Sequence, residues 1–144
     1  MQPVLHLSIP VRDLDEARDF YVSVLGCRPA RARDGFADVW FFGLQLTLQD
    51  RPDEVAGLTP GGSRHFGVTL SRAEFEAAVA RVDEHGAGWL VPVATDDEGQ
   101  QTEQTKAKLA DPSGNVIELK TYRDFEAALH ISPHSYPEAT AHGN

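Results

Sequence analysis

Residues 106–120 read K-A-K-L-A-D-P-S-G-N-V-I-E-L-K and predict two short strands joined by a tight turn. The turn falls on D-P-S-G-N at 111–115, because Asp, Pro, Gly and Asn each favour the backbone angles that a reversal needs. Beyond the turn the side chains alternate, so Ile117 and Leu119 in the core place Glu118 on the opposite face. A glutamate in the middle of a strand is not favoured, which indicates that this carboxylate has a specific partner.

Composition narrows the classes of function. The 144 residues fit one domain and carry a net charge of −9, from 13 basic and 22 acidic residues. This charge argues against nucleic acid or an anionic membrane surface as a partner and leaves small molecules or other proteins. The single cysteine, Cys27, excludes an internal disulfide, and no apolar run reaches the length of a membrane span or a leader. We therefore expect a cytoplasmic protein that acts on a small-molecule substrate.

The same order of predicted elements occurs twice along the chain. The first half contains a strand, a helix and three strands, at 4–10, 14–25, 28–33, 37–42 and 44–49. After a connector at 50–63, rich in Pro, Gly and acidic residues, the second half has a strand at 64–70, a helix from Ser71 to Gly86, and strands at 89–93, 105–110 and 116–122. Residues 123–144 predict a short helix followed by a flexible tail.

Each half has the order βαβββ and leaves one sheet face without a helix. We therefore predict an α+β fold in which paired βαβββ modules, at about 3–50 and 64–122 of a single domain 1–122, form an eight-stranded, cup-shaped mixed sheet with helices outside.

Three polar side chains are predicted to point into this cup. His6 and His65 lie at equivalent positions of the two modules, each on the strand face opposite the apolar residues, and Glu118 lies on the same face of the last strand. Taken singly, each histidine is more often structural than a ligand. Two imidazoles and one carboxylate together are typical of a divalent metal site with open coordination positions, and Gln45 is the candidate fourth ligand or substrate contact.

The sequence resembles the vicinal oxygen chelate superfamily, which includes glyoxalases, bleomycin resistance proteins and extradiol dioxygenases. The resemblance lies in H-L-S-I-P-V-R-D-L-D-E-A-R-D-F-Y-V-S-V-L-G, in H-F-G-V-T-L and in D-P-S-G-N-V-I-E-L, and it covers about residues 3–122. It implies that His6, His65 and Glu118 are metal ligands, for Fe, Mn, Ni, Co or Zn, and that the protein is a homodimer. The metal would chelate two neighbouring substrate oxygens and stabilise a developing enolate or oxyanion.

Departures from the family pattern argue against some of the activities known in the family. Gln45 stands where glyoxalase I has a glutamate that is both ligand and base, which argues against that activity. Methylmalonyl-CoA epimerase has a glutamine there, but its motif around the last ligand differs from D-P-S-G-N-V-I-E-L. Lys108 stands where extradiol dioxygenases have a tyrosine, and no histidine lies between His6 and His65, which argues against their usual ring cleavage.

An enzyme of the lyase, isomerase or dioxygenase type and a non-catalytic binder are the two alternatives. Proteins of the bleomycin resistance type use the same cup to sequester a small molecule or antibiotic, and they have lost the metal-ligand positions. Because His6, His65 and Glu118 are all kept here, the resemblance favours an enzyme, although a metal site can also persist in a binder.

Lys108 is a candidate catalytic or substrate-binding residue. If the turn pairs Ala110 with Val116, the register sets Lys108 directly across from Glu118 and therefore into the cup. An ammonium there would favour an anionic substrate group such as a carboxylate, phosphonate or enolate. The simpler interpretation is that Lys108 only pairs with Glu118, and a shift of one residue in the turn would send it to the other face.

Overall fold

The computed structural model describes residues 1–57 and 62–131, so the predicted tail at 132–144 lies outside the described residues. The elements in chain order are β1 (His6–Val11), α1 (Leu14–Asp19), β2 (Arg28–Arg33), β3 (Phe36–Phe41), β4 (Leu44–Asp50), β5 (Phe66–Thr69), α2 (Arg72–Glu84), β6 (Val91–Asp96), β7 (Gln104–Ala110), β8 (Val116–Tyr122) and α3 (Phe125–Leu129). This confirms the predicted order, in which a strand, a helix and three strands occur twice. None of the helices in the described part of the chain is long and apolar enough to cross a membrane.

The eight strands form two mixed sheets with the same topology. The first has the order β1-β4-β3-β2 and the second β5-β8-β7-β6. In each sheet the first and last strands of the module are parallel and the other pairs are antiparallel. The α+β class and the paired βαβββ modules are therefore confirmed. The strands are divided between two four-stranded sheets, and β1 and β5 each lie at a sheet edge.

The two main helices begin after Asp13 and Ser71, whose residue types favour the N-cap position. The Asp13 side chain accepts a hydrogen bond from the Glu16 amide at 2.9 Å, and Ser71 forms a capping box with Glu74. The helix predicted over 14–25 is α-helical only to Asp19 and continues as a π-helical turn at Phe20–Val24. In this turn the Leu25 amide donates to the Phe20 carbonyl, five residues back.

One apolar core spans both modules. The largest fully buried side chains come from both modules: from β1, the π-helical turn and the residue that ends it, β3 and β4 in the first, and from α2, β7 and β8 in the second. Cys27 is part of this core, and burial raises the pKa of its thiol to about 12. Cys27 is therefore a small core residue rather than a reactive one, because the thiolate is the reactive form.

The D-P-S-G-N turn joins the modules as well as the two strands beside it. Asp111 Oδ1 accepts hydrogen bonds from the amides of Ser113 and Asn115, both at 2.9 Å, which closes the turn. Three hydrogen bonds then reach the first module: Tyr21 hydroxyl to Asp111 Oδ2 at 2.8 Å, Arg12 amide to Ser113 Oγ at 2.9 Å, and Asn115 Nδ2 to the Pro10 carbonyl at 3.0 Å. The residues that set the hairpin register therefore also fix one module against the other.

Candidate functional site

Glu118 lies at the centre of a cluster of basic side chains on the second sheet. The predicted register is confirmed, because Ala110 pairs with Val116 and Lys108 with Glu118. The Lys108 ammonium lies 3.7 Å from Glu118 Oε2, on the same face of the sheet. Only 9% of Glu118 is exposed, so the carboxylate is held among these neighbours rather than in bulk water.

Two further basic groups approach the same carboxylate. His65 Nε2 lies 3.8 Å from Glu118 Oε2, and the Lys120 ammonium lies 3.8 Å from Oε1. Both distances are too long for hydrogen bonds. Sequence reasoning did not single out Lys120, although the alternation of β8 puts residues 118 and 120 on one face.

Gly67 explains how closely β5 approaches β8 beside this cluster. It is the register partner of Glu118 in the parallel pair. A Cβ atom built at position 67 would lie 1.9 Å from the Glu118 carbonyl oxygen, a distance that real side chains do not reach. Glycine is therefore required at this position for His65, two residues earlier, to lie beside Glu118.

His6 and Gln45 form a second pair, on the first sheet. The two residues are register partners on adjacent parallel strands, so their side chains lie on one face. His6 Nδ1 lies 3.2 Å from the backbone carbonyl oxygen of Gln45. Because a carbonyl only accepts, Nδ1 carries the proton in this contact and the Nε2 lone pair is left available.

Asp38 is a buried carboxylate on the same sheet face that sequence reasoning missed. Thr47 Oγ1 donates to Asp38 Oδ1 at 2.6 Å, while Gln45 Nε2 and the Arg31 guanidinium both reach Oδ2 at 3.2 Å. Burial acts to raise the pKa of Asp38, but the hydrogen bonds from Thr47, Gln45 and Arg31 outweigh it and hold the pKa below its usual value. The signal was present, because an acidic residue inside a strand needs a partner, as Glu118 does.

The predicted ligands thus form two pairs. His65 lies with Glu118, and His6 lies with Gln45. Within residues 1–57 and 62–131, no three His, Cys, Asp or Glu side chains are placed to hold a metal ion together.

The chemistry of both pairs fits a divalent metal. A histidine that binds metal through one ring nitrogen usually donates the other N–H to a carbonyl or carboxylate, as His6 does. The gap of 3.8 Å between His65 and Glu118 is close to the separation of about 3 to 3.5 Å expected for two ligand atoms that are each about 2.1 Å from one ion. Lys108 and Lys120 lie close to Glu118 and would have to turn their ammonium groups away from a bound cation.

Comparison with known proteins places the chain in a family. The family model described as Glyoxalase/Bleomycin resistance protein/Dioxygenase superfamily matches residues 4–119. Among curated protein sequences, none matches the chain. A crystal structure from Alicyclobacillus acidocaldarius, titled glyoxalase/bleomycin resistance protein/dioxygenase, is 35% identical with a TM-score of 0.80, over 88% of this chain and 96% of that one.

Two more distant structures share the fold. The fosfomycin resistance protein FosX from Listeria monocytogenes is 14% identical with a TM-score of 0.71, over 89% of this chain and 98% of that one. TioX from Micromonospora sp. ML1 is 17% identical with a TM-score of 0.65, over 84% of this chain and 99% of that one. With the family model covering most of the sequence and one relative above 30% identity over nearly its whole length, the chain belongs to the glyoxalase/bleomycin resistance protein/dioxygenase superfamily.

Proposed function

We propose that this protein is a metal-dependent enzyme whose site is shared between two copies of the chain. His65 and Glu118 of one copy and His6 of the other would supply the three ligands, with Gln45 beside His6 as a fourth. The observation that carries the proposal is the division of the ligand set into two preformed pairs, one on each sheet. Neither pair is sufficient alone, and a second copy would bring the missing half to each.

Sheet edges that are unpaired among the described residues support the sharing. Strands β1 and β5, at the edges of the two sheets, carry or adjoin His6 and His65. Val4 and Leu5, which lead into β1, are 51% and 73% exposed. An unpaired edge beside exposed apolar side chains favours pairing with another chain, and a two-fold dimer would place β1 of each copy beside β5 of the other.

The basic groups around Glu118 favour a small anionic substrate rich in oxygen. When bound, a divalent metal ion supplies Lewis acidity toward neighbouring substrate oxygens. Lys108 and Lys120 would hold a carboxylate, phosphonate or similar group and stabilise negative charge that develops during the reaction. A basic cluster in a chain of net charge −9 also concentrates anions at this face. The free, buried Cys27 suits the reducing cytoplasm in which we expect the protein.

Metal analysis of protein purified without chelator tests the proposal. We expect one divalent ion per chain in the wild type and a loss of most of it in Glu118→Gln, His65→Ala and His6→Ala. His85→Ala is the matched control, because the His85 ring bonds to the carbonyl of Arg81 at the end of α2. Full metal content in Glu118→Gln, or none in the wild type, would contradict the proposal.

One observation favours a second function, a binding protein without metal. Lys108 and Lys120 already balance the charge of Glu118 from two sides, at 3.7 and 3.8 Å. A cup lined in this way could hold an anionic ligand without a metal. Binding of such a ligand by metal-free protein, together with failure to take up any divalent ion, would favour this alternative.

A further inference from the structure

We propose that Asp38 is a positioning residue that turns the side-chain amide of Gln45 so that its oxygen, and not its nitrogen, is presented beside His6. The inference rests on the proposed metal site. Asp38 lies on β3, between β4 and β2, and its side chain is on the face that carries His6 and Gln45, because Asp38 pairs with Thr47, two residues along from Gln45. It is only 3% exposed.

The chemistry of the contact fixes the orientation of the amide. Asp38 Oδ2 accepts from the Arg31 guanidinium, which can only donate, so the group of Gln45 that lies 3.2 Å from the same oxygen must be its NH₂. The Thr47 hydroxyl donates to the other oxygen, Oδ1, at 2.6 Å, so both oxygens of Asp38 act as acceptors here. A reversed amide would place two acceptors against each other, at a buried site where such repulsion is costly.

This orientation leaves Gln45 Oε1 available. In the part of the chain that the structure describes, Oε1 accepts no hydrogen bond, and the residue is only half-buried. An amide side chain binds a divalent metal through its oxygen, so only one of its two orientations makes Gln45 a ligand. Asp38 selects that orientation without touching the ion. His6 is oriented by a separate contact, because the backbone carbonyl of Gln45 accepts its Nδ1–H.

A purely structural role for Asp38 makes different predictions. Asp38 also ties β3 to Arg31 of β2 and Thr47 of β4, so its removal will lower stability in either case. A structural carboxylate would leave the metal affinity of the folded protein unchanged. A positioning residue would lower that affinity, and would do so only when Gln45 is present.

Co²⁺ titration of the full chain, followed by calorimetry and visible absorption, separates the two. We expect Asp38→Ala and Gln45→Ala each to weaken Co²⁺ binding by about 10-fold to 100-fold, the usual effect of removing a group that orients a ligand. The double variant should bind Co²⁺ no more than twofold more weakly than Gln45→Ala does. The two single variants should change the cobalt spectrum in the same way. Ser8→Ala is the matched control, because Ser8 accepts a hydrogen bond from Gln49 on the same sheet face and, among the described residues, forms none with Asp38 or Gln45.

A folded Asp38→Ala protein that binds Co²⁺ within twofold of the wild type would overturn the inference, as would full additivity with Gln45→Ala. Loss of binding in Glu118→Gln alongside that result would leave the proposed metal site standing. A wild type that binds no Co²⁺ would remove the proposed function and this inference together.

A second cycle covers the case in which Asp38→Ala does not fold. In Gln45→Glu a carboxylate faces Asp38, whereas an asparagine at position 38 can donate its amide to that carboxylate. The quantity compared is the factor by which Gln45→Glu changes the affinity for Co²⁺. We expect this factor to be at least tenfold higher in the Asp38→Asn background than in the wild-type background. An equal effect in both backgrounds would overturn the inference.

Discussion

The hydroxyl of Tyr21 donates a hydrogen bond of 2.8 Å to Asp111 Oδ2, across 90 residues of sequence and between the two modules. Both residues are buried, and Tyr21 has no exposed surface. Burial, and then the charge of Asp111, raise the pKa of Tyr21 well above its ordinary value, so the hydroxyl stays a donor. Asp111 thus holds the turn closed with one oxygen and the first module with the other.

Tyr21→Phe should weaken the attachment of the modules. We expect the free energy of unfolding to fall by about 1 to 3 kcal/mol, because the Asp111 oxygen is left buried with one partner fewer. Urea unfolding of the two proteins measures the difference. Tyr122→Phe is the control, since Tyr122 packs on Phe125 through its ring. Equal stability of Tyr21→Phe and wild type would contradict the importance of this contact.

Gly67→Ala should separate β5 from β8. The added methyl would lie against the Glu118 carbonyl oxygen, so the strands must move apart. We expect a loss of about 1 to 3 kcal/mol or more in unfolding free energy, and weaker metal binding because His65 moves with β5. Gly57→Ala is the control, since a Cβ atom there meets nothing within 4 Å. A Gly67→Ala protein with unchanged melting temperature would show that the strands adjust freely.

Mixed dimers test whether the site is shared. Light scattering should give twice the 15.8 kDa mass of one chain. His6→Ala and Glu118→Gln homodimers should each bind little metal. When the two variants are unfolded and refolded together, each heterodimer should regain one intact site, with His6 from one chain and Glu118 from the other.

A site formed within one chain gives the opposite result, because each chain of the heterodimer would still lack one ligand. A co-refolded control of His6→Ala with His6→Ala sets the background. Metal recovery no higher than this background, or a strictly monomeric mass, would contradict sharing.

Lys108→Met should weaken binding of an anion to the metal-free protein. Loss of one charged donor is expected to lower the affinity for inorganic phosphate by about tenfold or more. Lys106→Met is a matched control on the same strand and face, because Lys106 is already engaged with Asp96 at 2.8 Å, the contact that chiefly raises the pKa of Lys106. Calorimetry compares the two. Equal phosphate affinity in wild type and Lys108→Met would leave Lys108 as only an ion-pair partner of Glu118.

The Cys27 thiol should make stability depend on alkaline pH. Its folded pKa of about 12 lies above the value of about 9 for a free thiol, so folding favours the protonated form. This contribution is complete below about pH 9 and is lost as the pH rises toward 12, by at most about 4 kcal/mol. Cys27→Ala should flatten this part of the unfolding free energy against pH. In native protein at pH 8 the thiol should resist iodoacetamide, and rapid alkylation would contradict its burial.

Local pattern alone determined the strands, the caps and the faces. The D-P-S-G-N turn and the alternation after it predicted that Lys108 stands across from Glu118, and the register is as predicted. Residues two apart in a strand must share a face, and a two-strand register is set by its turn, so neighbours in sequence suffice for both.

Only the tertiary structure decided which buried groups, far apart in sequence, meet. Nothing near Asp111 in sequence indicates that it accepts from Tyr21. The place of Asp38 inside a strand indicates that it needs a partner but does not identify Arg31 and Thr47 as its hydrogen-bond donors. The grouping of His65 with Glu118, apart from His6, likewise follows from how two modules bury a common core. That packing sums many contacts between residues far apart in sequence, whereas the alternation of side chains is a property of each strand by itself.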